Sequence, residues 1–283
     1  MDGRLLSALT CPECRGELGF AGDEEGGWPV SGELRCAECG LVFEVSDGVP
    51  VLVVPGTDMD GAQWEGKERQ LAEWVPRNFQ RALQPDRVPA PLHKFVETAR
   101  ATEGIVLDIA SGPGGSYCVE TMRDGPPTGL LVMSDLGAPV MQRWRKHLRE
   151  VGWDSRCSNM GLDARRLPFR DAVLDALTSV GGFSNIVGNR QAYAEASRVL
   201  KPGGPLMEVV RLYEEGGPTH RLLTEQGQVA TTWCDYEAFL NESGFSVTSC
   251  ELLNQGRGKT DPNDGLPVGD EAWEHRVVFA VRQ

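Results

Sequence analysis

Long apolar runs are absent from this sequence. Its purely hydrophobic stretches are short, as in Val51-Leu52-Val53-Val54, whereas a membrane-spanning helix needs about 18 such residues. No membrane association is expected. A basic excess is missing too: 28 Lys and Arg stand against 41 Asp and Glu, a net charge of −13. The deficit is steepest over residues 1–56, where Arg4, Arg15 and Arg35 face ten acidic side chains. Residues 57–100 balance at seven against seven, and no basic stripe follows. Binding to a long nucleic acid rests on Lys and Arg neutralising phosphates, so an RNA partner is disfavoured by charge. Nor is the chain of low complexity, with 34 Gly and 18 Pro in 283 residues. Met1-Asp2-Gly3-Arg4 does not open a charged region followed by an apolar core, so no secretory signal is read and a cytoplasmic location is expected. What is left is an ordinary globular composition, 40% hydrophobic and 24% charged, long enough for about two domains.

Of eight cysteines, four fall as Cys11-Pro-Glu-Cys14 and Cys36-Ala-Glu-Cys39, a spacing typical of zinc sites. Each pair places two thiolates on one side of a tight knuckle. Two knuckles close a tetrahedral S4 site with no open position, so the expected zinc is structural. Gly16 and Gly40 follow the pairs where a knuckle needs a permissive backbone. Disulfides are the competing reading and do not suit a cytosolic chain. Cys118, Cys157, Cys234 and Cys250 show no pairing and read as small buried hydrophobes. Leu9-Thr10-Cys11-Pro12-Glu13-Cys14, the second knuckle, and Phe43 to Leu52 together resemble the small zinc-ribbon module that activates several tRNA and protein methyltransferases as a separate subunit. Here the module is fused to the rest of the chain, so no obligate protein partner is inferred.

From Asp58 to Arg100 the pattern is helical. Trp64, Leu71, Trp74, Val75, Phe79 and Leu83 recur near a 3.6-residue period, Pro76 is expected to kink or divide the helix, and a second helix is expected over 93–101. Such a stripe is usually core; the alternative is a lid over a substrate pocket.

Gly104-Ile-Val-Leu-Asp108-Ile109 reads as a buried parallel strand. It leads into Ala110-Ser-Gly112-Pro-Gly114-Gly115, a small-residue turn expected to open a helix and let backbone approach a ligand. Tyr117 breaks the dinucleotide fingerprint, which disfavours an NAD enzyme. A second strand, Leu130 to Ser134, ends in Asp135, where a carboxylate can accept hydrogen bonds from both ribose hydroxyls. Asp163-Ala-Arg-Arg-Leu-Pro-Phe169 precedes a fourth strand over 174–179, and Leu200-Lys-Pro-Gly-Gly204 ends a helix ahead of a fifth.

In these motifs, with Tyr236 to Phe245 matching a fifth helix running into strand six, the chain resembles the class I S-adenosylmethionine-dependent methyltransferases. The resemblance implies an α/β fold: a Rossmann-like, seven-stranded doubly wound sheet behind a zinc ribbon (1–56) and a helical connector (57–101), the core covering 102–283. It also implies that the Gly112–Gly114 loop bends around the methionine half of the cofactor, with Asp108 near its ammonium. Asp135 holds the ribose, Leu136 lines one adenine face, Asp163 accepts the adenine amino group beside a space left by Ala164, and Ser179 lies near the sulfonium. Ala110 stands where the family often has glycine.

The methyl acceptor is less visible. Amino-group DNA methyltransferases carry an Asn/Asp-Pro-Pro-aromatic run after strand four, where this chain has Ser179-Val-Gly-Gly-Phe-Ser-Asn185, and no Pro-Cys dipeptide provides a cytosine-C5 nucleophile. Four histidines occur, of which His220, in a loop expected over 213–220 at the carboxyl edge of the sheet, and His93 are candidate acid–base groups, with Tyr213 beside them. A small-molecule acceptor is favoured by the acidic charge. The alternatives are an RNA base, since some rRNA guanine methyltransferases also carry a zinc ribbon, and a cofactor-binding scaffold. A Gly/Pro/Asp-rich exposed loop is expected over 255–270 before a closing strand.

Overall fold

The computed structural model describes residues 1–59, 64–259 and 265–283. Four antiparallel strands come first: β1 (Leu18–Glu25), β2 (Trp28–Cys36), β3 (Val42–Ser46) and β4 (Val49–Leu52). The connector forms α1 (Glu68–Ala82) and α2 (Ala90–Ala101). The remainder alternates: β5 (Ile105–Asp108), α3 (Cys118–Met122), β6 (Leu130–Asp135), α4 (Ala138–Glu150), β7 (Ser158–Leu162), β8 (Ala176–Val180), α5 (Asn189–Val199) and β9 (Pro205–Tyr213). It ends with α6 (Pro218–Glu225), α7 (Trp233–Glu242), β10 (Phe245–Arg257) and β11 (Ala272–Arg282).

The expected seven-stranded sheet is present in the order β7-β6-β5-β8-β9-β11-β10, parallel except where β11 runs against β9 and β10. It does not stop at β7. Strand β4 pairs with β7 in parallel, Val51 opposite Gly161 and Leu52 opposite Leu162, so the four N-terminal strands extend one continuous eleven-stranded sheet. The Thr10 N–H donates to the Pro168 carbonyl at 2.9 Å and the Arg170 N–H to Ala8 at 2.9 Å. One apolar cluster then runs from Leu5, Leu34 and Phe43 through Leu52 to Leu107, Leu162 and Phe169. Covering β7 satisfies an edge that would otherwise present unpaired backbone.

On the opposite face α4 packs over β6 and β7, α1 packs against α4, and α2 packs against α3 and β10. Leu71, Val75 and Phe79, spaced four apart, bury their stripe with Trp144 and Met133. Pro76 lies inside α1 and does not divide it. A proline frees the carbonyl four residues back, and here Ala72 O accepts from the Arg143 guanidinium at 3.4 Å. The expected exposed loop over 255–270 is also shorter than anticipated. Residues 255–257 belong to β10, paired to its end with β11, while residues 260–264 lie outside the described residues.

Candidate active site and metal centre

A cavity of about 410 Å³ opens over the carboxyl ends of β5, β6, β7 and β8. The strand order reverses between β5 and β8, and such switch points are where open α/β sheets receive ligands. Four loops converge there. Ala110, Gly112 and Gly114 come from the turn after β5, Asp135 from the end of β6 with Leu136 just after it, Asp163 and Ala164 after β7, and Val180 from the end of β8 with Gly182 beyond it.

Asp135 ties two of these loops together. One carboxylate oxygen accepts the Gly112 N–H at 3.0 Å and the other accepts the Gly137 N–H at 3.0 Å. The side chain is only 7% exposed, and burial pushes its carboxyl up to about 6 despite those donors. Asp163 caps the 3-10 turn over 164–166 by accepting the Arg165 N–H at 2.9 Å, and pairs with the Arg165 guanidinium at 2.9 Å. Ala110 adopts a left-handed φ of 54°, a conformation glycine reaches without steric cost and the one the glycine implied there by the resemblance would favour. Gly182 is required by crowding. A Cβ there would sit 2.3 Å from Ser179 Oγ and 2.7 Å from the Ile109 carbonyl.

Seven of the nine expected cofactor contacts thus border the cavity. Asp108 and Ser179 instead lie one layer behind it, among the fully buried residues. Asp108 accepts from Ser111 Oγ and from Thr178 Oγ1, the latter at 2.6 Å, and burial raises it to about 6. Its visible work is to clamp the turn to β8. Ser179 Oγ donates to Ile109 O at 3.0 Å. The helix expected to open on the glycine turn begins only at Cys118 and is five residues long, so the turn's own backbone, not a helix terminus, faces the cavity.

Two catalytic candidates lie away from the main cavity. His220 lies on α6 and not in a loop. Its Nδ1 accepts the Gly216 N–H at 2.8 Å, and it borders a separate hollow with Arg190, Thr224 and Asp235. His93 is exposed on α2, with Nε2 at 2.9 Å from Val88 O, and does not reach the cavity. Tyr213 borders a neighbouring cavity that shares Val180 and Asn185 with the first. Trp64 and Arg87 of the connector do line the main cavity, as does Tyr117. Trp64 meets Trp74 edge-on at 5.8 Å, and Arg87 lies 3.3 Å from Glu120. The aromatic period marked Trp64, but nothing in its spacing separated it from the core positions Leu71 and Phe79. Arg87 carried no signal at all.

The four cysteines of the knuckles come together, the first knuckle lying beside the 165–168 segment. All four Sγ atoms lie within 4.8 Å of one another, with Cys11 and Cys39 at 3.7 Å and Cys14 and Cys36 at 3.4 Å. A tetrahedral ZnS4 centre with bonds of about 2.3 Å needs sulfurs about 3.8 Å apart, so the donor set fits zinc. The knuckles differ from expectation in detail. Arg15 and Gly40 carry the left-handed backbone, at φ 62° and 73°. Gly16 is needed for space, since a Cβ there would lie 2.9 Å from Cys36 Sγ.

Comparison with known proteins agrees with both halves. Residues 106–204 match the methyltransferase domain model and residues 2–48 match the Trm112p-like protein model. The chain carries a class I methyltransferase domain behind a Trm112p-like domain. A ubiquinone/menaquinone biosynthesis C-methyltransferase of Stutzerimonas stutzeri is 33% identical over 149 residues, 50% of this chain and 56% of that protein. The Pseudomonas aeruginosa protein of the same name is 34% identical over 120 residues, 42% of this chain and 45% of that protein. The chain thus spans about half the length of these relatives. Among solved structures, the Streptomyces coelicolor geranyl diphosphate C-methyltransferase superposes with a TM-score of 0.52 at 15% identity, covering 67% of this chain and 76% of that one. The cyclase SpnF superposes at 0.51 with 18% identity, covering 67% and 80%. Those two likenesses establish the methyltransferase domain's fold, and a cyclase among them illustrates that the fold alone does not set the chemistry. Among the described residues no helix is long and apolar enough to cross a membrane.

Proposed function

We propose that the protein transfers a methyl group from S-adenosylmethionine to a small-molecule acceptor, with a structural zinc in its Trm112p-like domain. The observation that carries this reading is the cavity at the strand switch point, bordered by all four motif loops and by the Asp135 carboxylate. Bound there, S-adenosylmethionine supplies an electrophilic methyl on a sulfonium. The chain's residues bind, orient and shield. Each Asp135 oxygen uses one lone pair on a backbone N–H and keeps capacity for a ribose hydroxyl. Leu136 and Ala164 offer apolar walls of the size an adenine ring requires, and Asp163, already fixed by Arg165, presents its edge to the same wall. Trp64, Arg87 and Tyr117 cover the other side, where Arg87 suits the amino-acid carboxylate and Trp64 excludes water.

Methyl transfer is an in-line displacement: the acceptor atom forms the new bond to carbon as the bond to sulfur breaks, and the electron pair stays on sulfur. Alignment provides much of the rate, and the acceptor's proton leaves only where it must. The names of the related proteins direct the first acceptor trials to carbon nucleophiles. Incubation with methyl-labelled S-adenosylmethionine and separate metabolite, protein and RNA extracts tests the reading. Label is expected in the metabolite fraction, and label in RNA would overturn the acceptor class.

A further inference from the structure

Beside the cofactor cavity lies a second one of about 620 Å³, and the two share Val180 and Asn185. It is bounded by the ends of β8 and β9, by the 228–231 segment after α6, and by Leu253 of β10 and His275 of β11. A volume of this size holds a substantial organic molecule. Val209, Leu223, Val229 and Leu253 make most of the wall apolar. Among the described lining residues there is one charged side chain, Arg211.

Arg211 is held in an unusual way. Its Nε–H donates to His275 Nε2 at 2.7 Å, so that nitrogen carries no proton, and His275 Nδ1 donates to Asn254 Oδ1 at 2.7 Å. Burial and the Arg211 charge lower His275 to about 4, so the ring is neutral near pH 7. The guanidinium lies 5.3 Å from the Trp273 ring centroid. Among the described residues no carboxylate forms an ion pair with it, although the protein carries a net charge of −13. A cation oriented through Nε leaves its two terminal amino groups, the fork that matches a carboxylate or phosphate edge. A cation in a largely apolar cavity with no carboxylate partner among the described residues is poorly compensated there, and a ligand anion supplies a partner.

We infer that this second cavity is the acceptor site and that it takes a largely apolar molecule bearing one anionic group, held end-on by Arg211. The inference rests on the methyltransferase reading above, since only the shared wall at Val180 and Asn185 makes this cavity the place for an acceptor.

The probes are 2-naphthoate, 2-naphthyl phosphate and the neutral 2-naphthamide, titrated calorimetrically into the full chain saturated with S-adenosylhomocysteine. At least one anion should bind ten or more times tighter than the amide; which one separates carboxylate from phosphate as the recognised group. Arg211→Met should reduce that preference to within about twofold while S-adenosylhomocysteine affinity is kept, and Arg211→Lys should restore part of it. Equal binding of anions and amide to the wild-type protein overturns the inference without needing any variant. An anion preference that survives in Arg211→Met, with S-adenosylhomocysteine still bound, overturns it as well. Failure of the wild-type protein to bind S-adenosylhomocysteine at all overturns the methyltransferase reading beneath it.

Discussion

Changing Asp135 to Asn tests the cofactor site through both affinity and pH. The carboxylate sits between two backbone N–H groups, from Gly112 and Gly137, each at 3.0 Å. Asparagine keeps the shape but must turn an NH2 toward one of those donors, leaving a buried N–H unpaired and one fewer acceptor for ribose. Losing one charge-assisted hydrogen bond costs about 1.5–3 kcal/mol, so S-adenosylhomocysteine should bind at least about tenfold more weakly. Burial gives the second signature. With its carboxyl at about 6 in place of the ordinary 3.8, Asp135 is raised, so the empty fold prefers it protonated. Its ionisation therefore costs stability as pH rises from about 4 to about 6, of order 3 kcal/mol. Ligand binding has the opposite sign, because ribose hydroxyls donate to the ionised form. Affinity should rise through about pH 6 and level above it, being about tenfold lower near pH 5 than near pH 8. Asp108 also sits at about 6, so the comparison with Asp135→Asn isolates the right group: the variant should lose the pH dependence that Asp135 contributes. Calorimetric titrations across that range that give parallel curves for the two proteins, or equal affinities, would refute the ribose assignment.

Cys36→Ser should remove zinc, about one per chain in the wild type by metal analysis, and lower the melting temperature of the whole chain, because Cys11 and Cys36 share a core with Leu107 and Phe169; a zinc-free wild-type protein that melts unchanged would count against a structural metal. Gly182→Ala should destabilise by about 1–3 kcal/mol in denaturant unfolding, since its Cβ meets Ser179 Oγ at 2.3 Å and the Ile109 backbone at 2.7 Å; an unaltered midpoint would mean the turn relaxes freely. His220→Ala should leave S-adenosylhomocysteine affinity within about twofold and cost no more than about 1.5 kcal/mol from the lost Gly216 bond; a large loss of cofactor binding would return His220 to the site.

Much of the core was readable because each of its signals is local. Ile105 to Asp108 and Leu130 to Asp135 are short β-branched or apolar runs ending in an acid, and a buried parallel strand leaves few other ways to arrange them. The cysteine knuckles were equally plain, since two residues of spacing nearly determine where two sulfurs point. The loop expected around His220 was misread although the local signals for a helix were present: Gly217 and Pro218 stand at the N-cap and first turn of α6, and a helix there turns the ring onto the Gly216 N–H. The joins were illegible for a different reason. Pairing of Val51 with Gly161 links positions 110 residues apart, and an alternating strand pattern says which face is buried but not which strand it meets. The same holds for Trp64 and Arg87, placed over the cavity by the packing of α1 against α4 and of α2 against α3 rather than by their own neighbours. That join also has an energetic consequence. With Leu5, Leu34 and Phe43 in the same cluster as Leu107 and Leu162, the Trm112p-like domain has no separate core to lose. Its cysteine centre and the cofactor cavity therefore belong to one cooperative unit, and stabilising either is expected to stabilise the other.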